Sequence, residues 1–240
     1  MYFYKKTILN SLLSIPSLMV FIFISCIFLG LLLTSQGYAA NELSSYYNII
    51  MGINQFILIY IPFYLIMIRN FSVFSTNKSI LIKYKEITKW WKKNIYSLLF
   101  FSMFLSLFLN LLFLIVLISK KIDMISFLYL IKHLVVNSLL SQFMIFFILG
   151  QLYYLFLFLT NKSIISIFVP ISLMFVGHIF DFLFNVNYFS LSNYMSLKLE
   201  VIDGGLEIHP NSMYVLLNFV IISVLLYFLI INILKTKDFY

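Results

Sequence analysis

Few groups in this 240-residue chain are suited to chemistry. In "GHIFD" (177–181), His178 and Asp181 stand three residues apart and share one face of a helix. If that helix crosses a bilayer, the functional reading is a proton relay or a substrate and gate contact, since ionisable groups at membrane depth are functional candidates by default. The plainer reading is an interfacial pair whose polar tips reach the outer headgroups. His133 is the other ionisable candidate near a span. The single cysteine, Cys26, forms no internal disulfide and suits a small apolar filler. The seven glycines frame no GxxxxGK[ST], and HExxH, CxxC and GxSxG are absent. An intramembrane protease or zinc enzyme would need converging ligands, or a nucleophile with its base. His133, His178 and Asp181 do not supply them, so the chain is expected to be neither an enzyme nor a holder of metal or cofactor.

The elements that carry these residues follow from composition. Apolar residues make up 63%, aromatics 20% and charged residues only 10%, outside the balance of a soluble domain. Six uncharged stretches (7–41, 43–68, 94–119, 133–161, 163–180 and 208–234) are each long enough to cross a hydrocarbon core of about 30 Å as a helix of about 20 residues. They lack the polar and apolar alternation of barrel strands. The expected fold is an all-α integral membrane protein, a single transmembrane domain over 1–240 with six helices near 17–34, 49–68, 96–118, 137–159, 164–184 and 213–234. The first is expected to be retained, because "TSQGYAANE" (34–42) is a weak cleavage pattern after too long an apolar run.

Orientation follows the lysines and arginine in short loops. With both termini cytoplasmic, twelve of the 16 basic residues lie inside, seven of them in the loop 69–95. Lys120, Lys121, Lys132 and Lys198 lie outside, which makes the third loop a local exception. The formal charge of +8 therefore belongs to the inner face, toward anionic lipid and cytosol. Alanine occurs only at Ala39 and Ala40 amid abundant Phe, Ile, Leu, Asn, Lys and Tyr, a composition suggestive of an AT-rich bacterial genome. The expected location is a bacterial cytoplasmic membrane, crossed several times.

The inner loop holds the densest charge. In "IKYKEITKWWKKN" (82–94), with its flanks, Ile80, Tyr84, Ile87, Trp91 and Ile95 are spaced by four, three, four and four. Lys83, Lys85, Glu86, Lys89, Lys92 and Lys93 fill the remaining arc, giving an amphipathic helix. Nucleic acid fits poorly, because the patch is short, lies between two spans and has no nucleic-acid fold around it. An interfacial helix with tryptophans and snorkelling lysines in the headgroup layer fits. So does a helix that docks a partner, with Ile87 and Trp91 as anchors and Lys89, Lys92 and Lys93 at the rim. "TNKSI" occurs at 76–80 and again at 160–164, in the two inner loops, where each Ser or Asn can cap the following helix. Outside, "LKLEVIDGGLEIH" (197–209) alternates, turns at Asp203-Gly204-Gly205 and alternates again, the pattern of a short hairpin. The stretch 184–195 before it is too polar to span.

This arrangement resembles the six-helix permease subunits of ABC type-2 exporters, in particular the small ones of bacterial peptide, bacteriocin and lantibiotic systems. The resemblance covers the whole chain. It rests on an amphipathic basic N-terminus (Met1–Ser14), both termini inside, the long basic loop with its Trp-Trp segment, the tight inner turn Thr160–Ser163 and the extended outer segment before the last span. The resemblance implies a coupling helix carrying Tyr84, Ile87, Lys89, Trp90, Trp91, Lys92 and Lys93, joined by Asn161 and Lys162, that meets a separate ATPase. ATP and Mg would belong to that partner. It further implies a second permease copy or related chain, an amphipathic peptide substrate and no nucleic acid. The predicted hairpin departs from members with only re-entrant helices. A non-transporting immunity or sensor-scaffold protein that binds such a peptide is the alternative.

Overall fold

The structure is a computed structural model. It describes residues 51–75, 87–119, 131–184, 198–202, 205–209 and 213–236, together with 18, 19, 21, 22, 24–26, 30, 47 and 128. Among the described residues five helices are long and apolar enough to cross a membrane, making this a multi-pass membrane protein. Helix α1 (Ile61–Ser75) is entered through a short turn of helix (Ile53–Gln55) and a π-helical turn (Phe56–Tyr60). Helix α2 runs Ile87–Ser119. Helix α3 (Val136–Thr160) also begins with a π-helical turn, Ile131–Val135. Helix α4 is Ser163–Phe184 and α5 is Met213–Thr236.

Between the last two helices lie antiparallel strands β1 (Lys198–Ile202) and β2 (Gly205–His209), paired from Lys198 with His209 to Ile202 with Gly205. This is the hairpin that the Asp-Gly-Gly signal predicts, one short ribbon in an otherwise helical fold. Of the expected first span, residues 18, 19, 21, 22, 24–26 and 30 are helical. Ile24 is buried there, and Phe21 sets its ring edge-on to Phe63 of α1 and to Phe104 and Phe108 of α2, at 5.1, 5.7 and 4.9 Å. The amphipathic N-terminus at 1–14 lies outside the described residues.

Helix α3 is the centre of the bundle and packs against α2, α4 and α5, while α1 packs on α2, α3 and α4. Directions follow from the pairings. Asn110 and Trp91 of α2 meet Gln142 and Tyr154 of α3, so these helices are antiparallel. Met51 meets Gln142, and Ser72 meets Tyr153, so α1 and α3 run the same way. The bundle therefore has a basic end, with Arg69, Lys89, Lys92, Lys93, Lys162 and Lys235, and a hairpin end.

Close approach at the centre depends on Gly150 of α3. A Cβ there would lie 2.7 Å from the Tyr64 hydroxyl, 2.8 Å from Leu98 Cδ2 and 3.0 Å from Ile68 Cδ1. Its bare backbone lets α1, α2 and α3 meet at one point, the use that membrane bundles make of small residues.

Candidate functional site

The Trp-Trp segment is not a separate helix lying beside the third span. From Ile87 onward it is the first part of α2, continuous to Ser119; Tyr84 and the first "TNKSI" lie outside the described residues. Nor do the tryptophans face outward. Trp90 and Trp91 are buried, their rings 5.8 and 6.0 Å from Phe158, and Trp91 lies 5.3 Å edge-on from Tyr154. The expectation that Trp91 anchors a partner is thereby corrected: α3 of the same chain occupies the aromatic face. The cause is the pairing of four rings, which buries large apolar areas and adds edge-to-face attraction that a headgroup layer does not offer. The Ile87 side chain lies outside the described residues. What this segment presents at the surface is the lysine rim, with Lys89, Lys92 and Lys93 all exposed.

The second element at the basic end is the turn between α3 and α4. Asn161 adopts φ 56°, left-handed, and its N–H reaches the Leu157 carbonyl at 2.9 Å. Asn161 thus closes the helix before it. The Lys162 carbonyl instead accepts from the N–H and hydroxyl of Ser166 at 3.2 and 2.9 Å, and the Lys162 N–H bonds the Thr160 hydroxyl at 3.2 Å. Asparagine suits this position because its short polar side chain tolerates the left-handed region. Asn161 and Lys162 are exposed and lie three and four residues beyond Phe158, whose ring touches both tryptophans. The rim lysines and this turn consequently belong to one surface.

His178 is half-buried on α4, and its Nδ1 has no hydrogen-bond partner among the described residues. The Asp181 side chain lies outside the described residues, so the pair is brought together only by its helical spacing.

Sequence reasoning missed a polar seam inside the bundle. On α2, Ser102, Ser106 and Asn110 recur every fourth residue, all buried. Asn110 Nδ2 donates to the Ser106 carbonyl at 2.8 Å and to Gln142 Oε1 at 2.9 Å, while its Oδ1 accepts from Ser138. Ser106 donates to the Leu139 carbonyl at 2.8 Å, and Gln142 Nε2 points to Met51 Sδ at 3.8 Å. Ser102 donates to the Leu98 carbonyl at 2.8 Å, so in its 2.7 Å contact with Tyr64 the phenol is the donor. Ser72 likewise donates to the Arg69 carbonyl and accepts from Tyr153, each at 2.8 Å. Across α2 and α3 such bonds join residues about 30 positions apart, which no local periodicity reveals. The one sequence signal is the four-residue spacing of Ser102, Ser106 and Asn110 within an otherwise apolar run.

The arrangement ties α1, α2 and α3 together through side-chain hydrogen bonds. Among the described residues no three His, Cys, Asp or Glu side chains come together as a metal site. No family model, curated protein or solved structure matches the chain.

Proposed function

We propose that the chain is the membrane-spanning permease subunit of an ATP-driven exporter of the ABC type-2 kind, in a bacterial cytoplasmic membrane, moving an amphipathic peptide such as a bacteriocin. The observation that carries this reading is the construction of the basic end. Lys89, Lys92 and Lys93 are exposed on a helix whose tryptophans are keyed into α3, within about a turn of the exposed Asn161–Lys162 connection. A partner pressing on this rim moves α2, α3 and the start of α4 together. A separate ATPase, which would bring ATP and Mg, is the partner of matching role. Acidic groups on it would complement the lysines and steer its docking.

The interior supports an external energy source, because the buried polar side chains among the described residues are serines, amides and tyrosines rather than acids. It also supports a pathway between two copies of the chain rather than through one, because α1, α2 and α3 close on each other around Gly150. His178 then lies on a helix that such a pathway can reach. The same closed interior suits the second reading, an immunity or sensor-scaffold protein that binds the peptide without moving it.

One experiment separates them. The chain, purified from its native membrane, should carry a stoichiometric ATPase. Lys89→Glu, Lys92→Glu and Lys93→Glu together should release the ATPase and abolish export, at unchanged thermal stability. Absence of an ATPase from the unaltered protein, with peptide still bound, selects the scaffold. Detachment of the triple variant from anionic vesicles, with ATPase and export intact, reduces the rim to a membrane anchor.

A further inference from the structure

Arg69 is the only arginine among the 16 basic residues. It stands inside a span, because the apolar window that contains it runs Ile53–Val73. Leu58, Ile66 and Val73 of α1 are exposed, and Arg69 is exposed between the last two, at helical spacings of three and four. It therefore belongs to the stripe of α1 that meets lipid tails, with an apolar neighbour on its basic side as well as on its hairpin side.

Its depth follows from the bonds around Ser72. The Ser72 hydroxyl accepts from Tyr153 of α3 and donates to the Arg69 carbonyl, which fixes the backbone at Arg69 against the core. Tyr153 adjoins Tyr154, whose ring meets Trp91, so Lys92 and Lys93 stand near the level of Ser72. Arg69, three residues back along α1, is about 4.5 Å deeper than that level. The rim lysines meet the headgroup layer as hydrated point charges. A guanidinium one turn deeper stays charged, because it does not release its proton, and is costly to leave among lipid tails without an anion. Its weak hydration and planar fork suit two oxygens of one phosphate, bonded by parallel N–H groups.

We infer that Arg69 is a binding site for the phosphate of one phospholipid in the leaflet at the basic end. The phosphate is drawn inward from the lysine level, and the acyl chains run past Ile66 and Leu58. Through Ser72 and Tyr153 the bound headgroup is linked to the packed core of α1 and α3.

A single arginine makes the test selective, since ¹³C,¹⁵N-arginine labels one guanidinium in the full chain. Bilayers of phosphatidylglycerol and phosphatidylethanolamine in phosphate-free buffer leave lipid as the only phosphorus supplied. Solid-state magnetic resonance should show the guanidinium carbon dephased by lipid ³¹P at about 4 Å, the separation that N–H···O bonds of about 2.8 Å impose. Mass spectrometry of the protein released from detergent should find phospholipid retained, falling about tenfold in Arg69→Gln, as loss of charge-assisted hydrogen bonds predicts, and little in Lys92→Gln/Lys93→Gln. No dephasing in the unaltered protein overturns the site and leaves the arginine to water or a protein partner. Retention of the lipid in Arg69→Gln, or its equal loss in both variants, also overturns the site, because the lipid is then held by the basic end as a whole.

Discussion

The two halves of the bundle are built on different terms. In α1, α2 and α3 the span windows are 61%, 50% and 56% buried, whereas in α4 and α5 they are 17% and 22%. The seam of serine, amide and tyrosine hydrogen bonds lies within the first half, and from α3 Gln151 donates to the Ser223 carbonyl of α5. The second half shows apolar side chains instead, among them Phe168, Leu173 and Phe180 on α4 and Leu217, Leu225 and Phe228 on α5. In a bilayer such faces need no cover, since lipid tails are as apolar as leucine. The lesson is that shape and polar pairing fix α1–α3 as a unit, while α4 and α5 lean on it, chiefly on α3 and also on α1 and α2 respectively.

Substitutions should divide along this line. The largest effect is expected from Trp91→Ala, which removes an indole from the four-ring cluster: a loss of about 3 kcal/mol, read as early thermal unfolding in detergent. A fully stable variant would place the tryptophan outside the core. Next is Gly150→Ala, whose Cβ meets three side chains of two other helices at once. Overpacking of this kind costs about 1–3 kcal/mol, and measured neutrality would erase the close approach. In a double-mutant cycle, Asn110→Leu and Gln142→Leu should couple by about 0.6 kcal/mol, at most about 1.7, as interhelical polar pairs in membranes do. Additivity would show that the seam contributes nothing as a pair. The smallest effect is expected on the exposed faces, where Phe168→Leu and Leu225→Ala should stay within about 0.5 kcal/mol. A larger loss there, growing on dilution, would show that a second copy rather than lipid covers α4 and α5.

Much of this architecture is legible in the order of residues. The spans expected at 137–159, 164–184 and 213–234 agree with α3, α4 and α5 within a few residues, because uncharged runs bounded by lysine, aspartate or proline leave little choice. The hairpin was legible from alternation and an Asp-Gly-Gly turn. The start of α2 was not, because an amphipathic period reads alike whether the helix lies on a membrane or continues a span. Only Tyr154 and Phe158, more than 60 positions away, decide where Trp91 turns. The role of Asn161 as the end of α3 is hidden for a related reason: "TNKSI" contains residues that can end one helix and begin another, and the left-handed backbone at φ 56° shows that Asn161 ends α3. The seam partners lay hidden because a lone Asn110 or Gln142 in an apolar run does not name its mate.

The uninterrupted length of α2 has a mechanical consequence. Its 33 residues form a rod of about 50 Å, against a hydrocarbon layer of about 30 Å. It is gripped near one end by Phe158 and Tyr154 and toward the other by Ser138 and Gln142, so α2 and α3 bend and tilt as one stiff beam. A beam tilting by about 5° about its middle carries each end through roughly 2 Å in opposite senses. A push at the lysine-rimmed end is thus delivered at the hairpin end without any bond in between having to break.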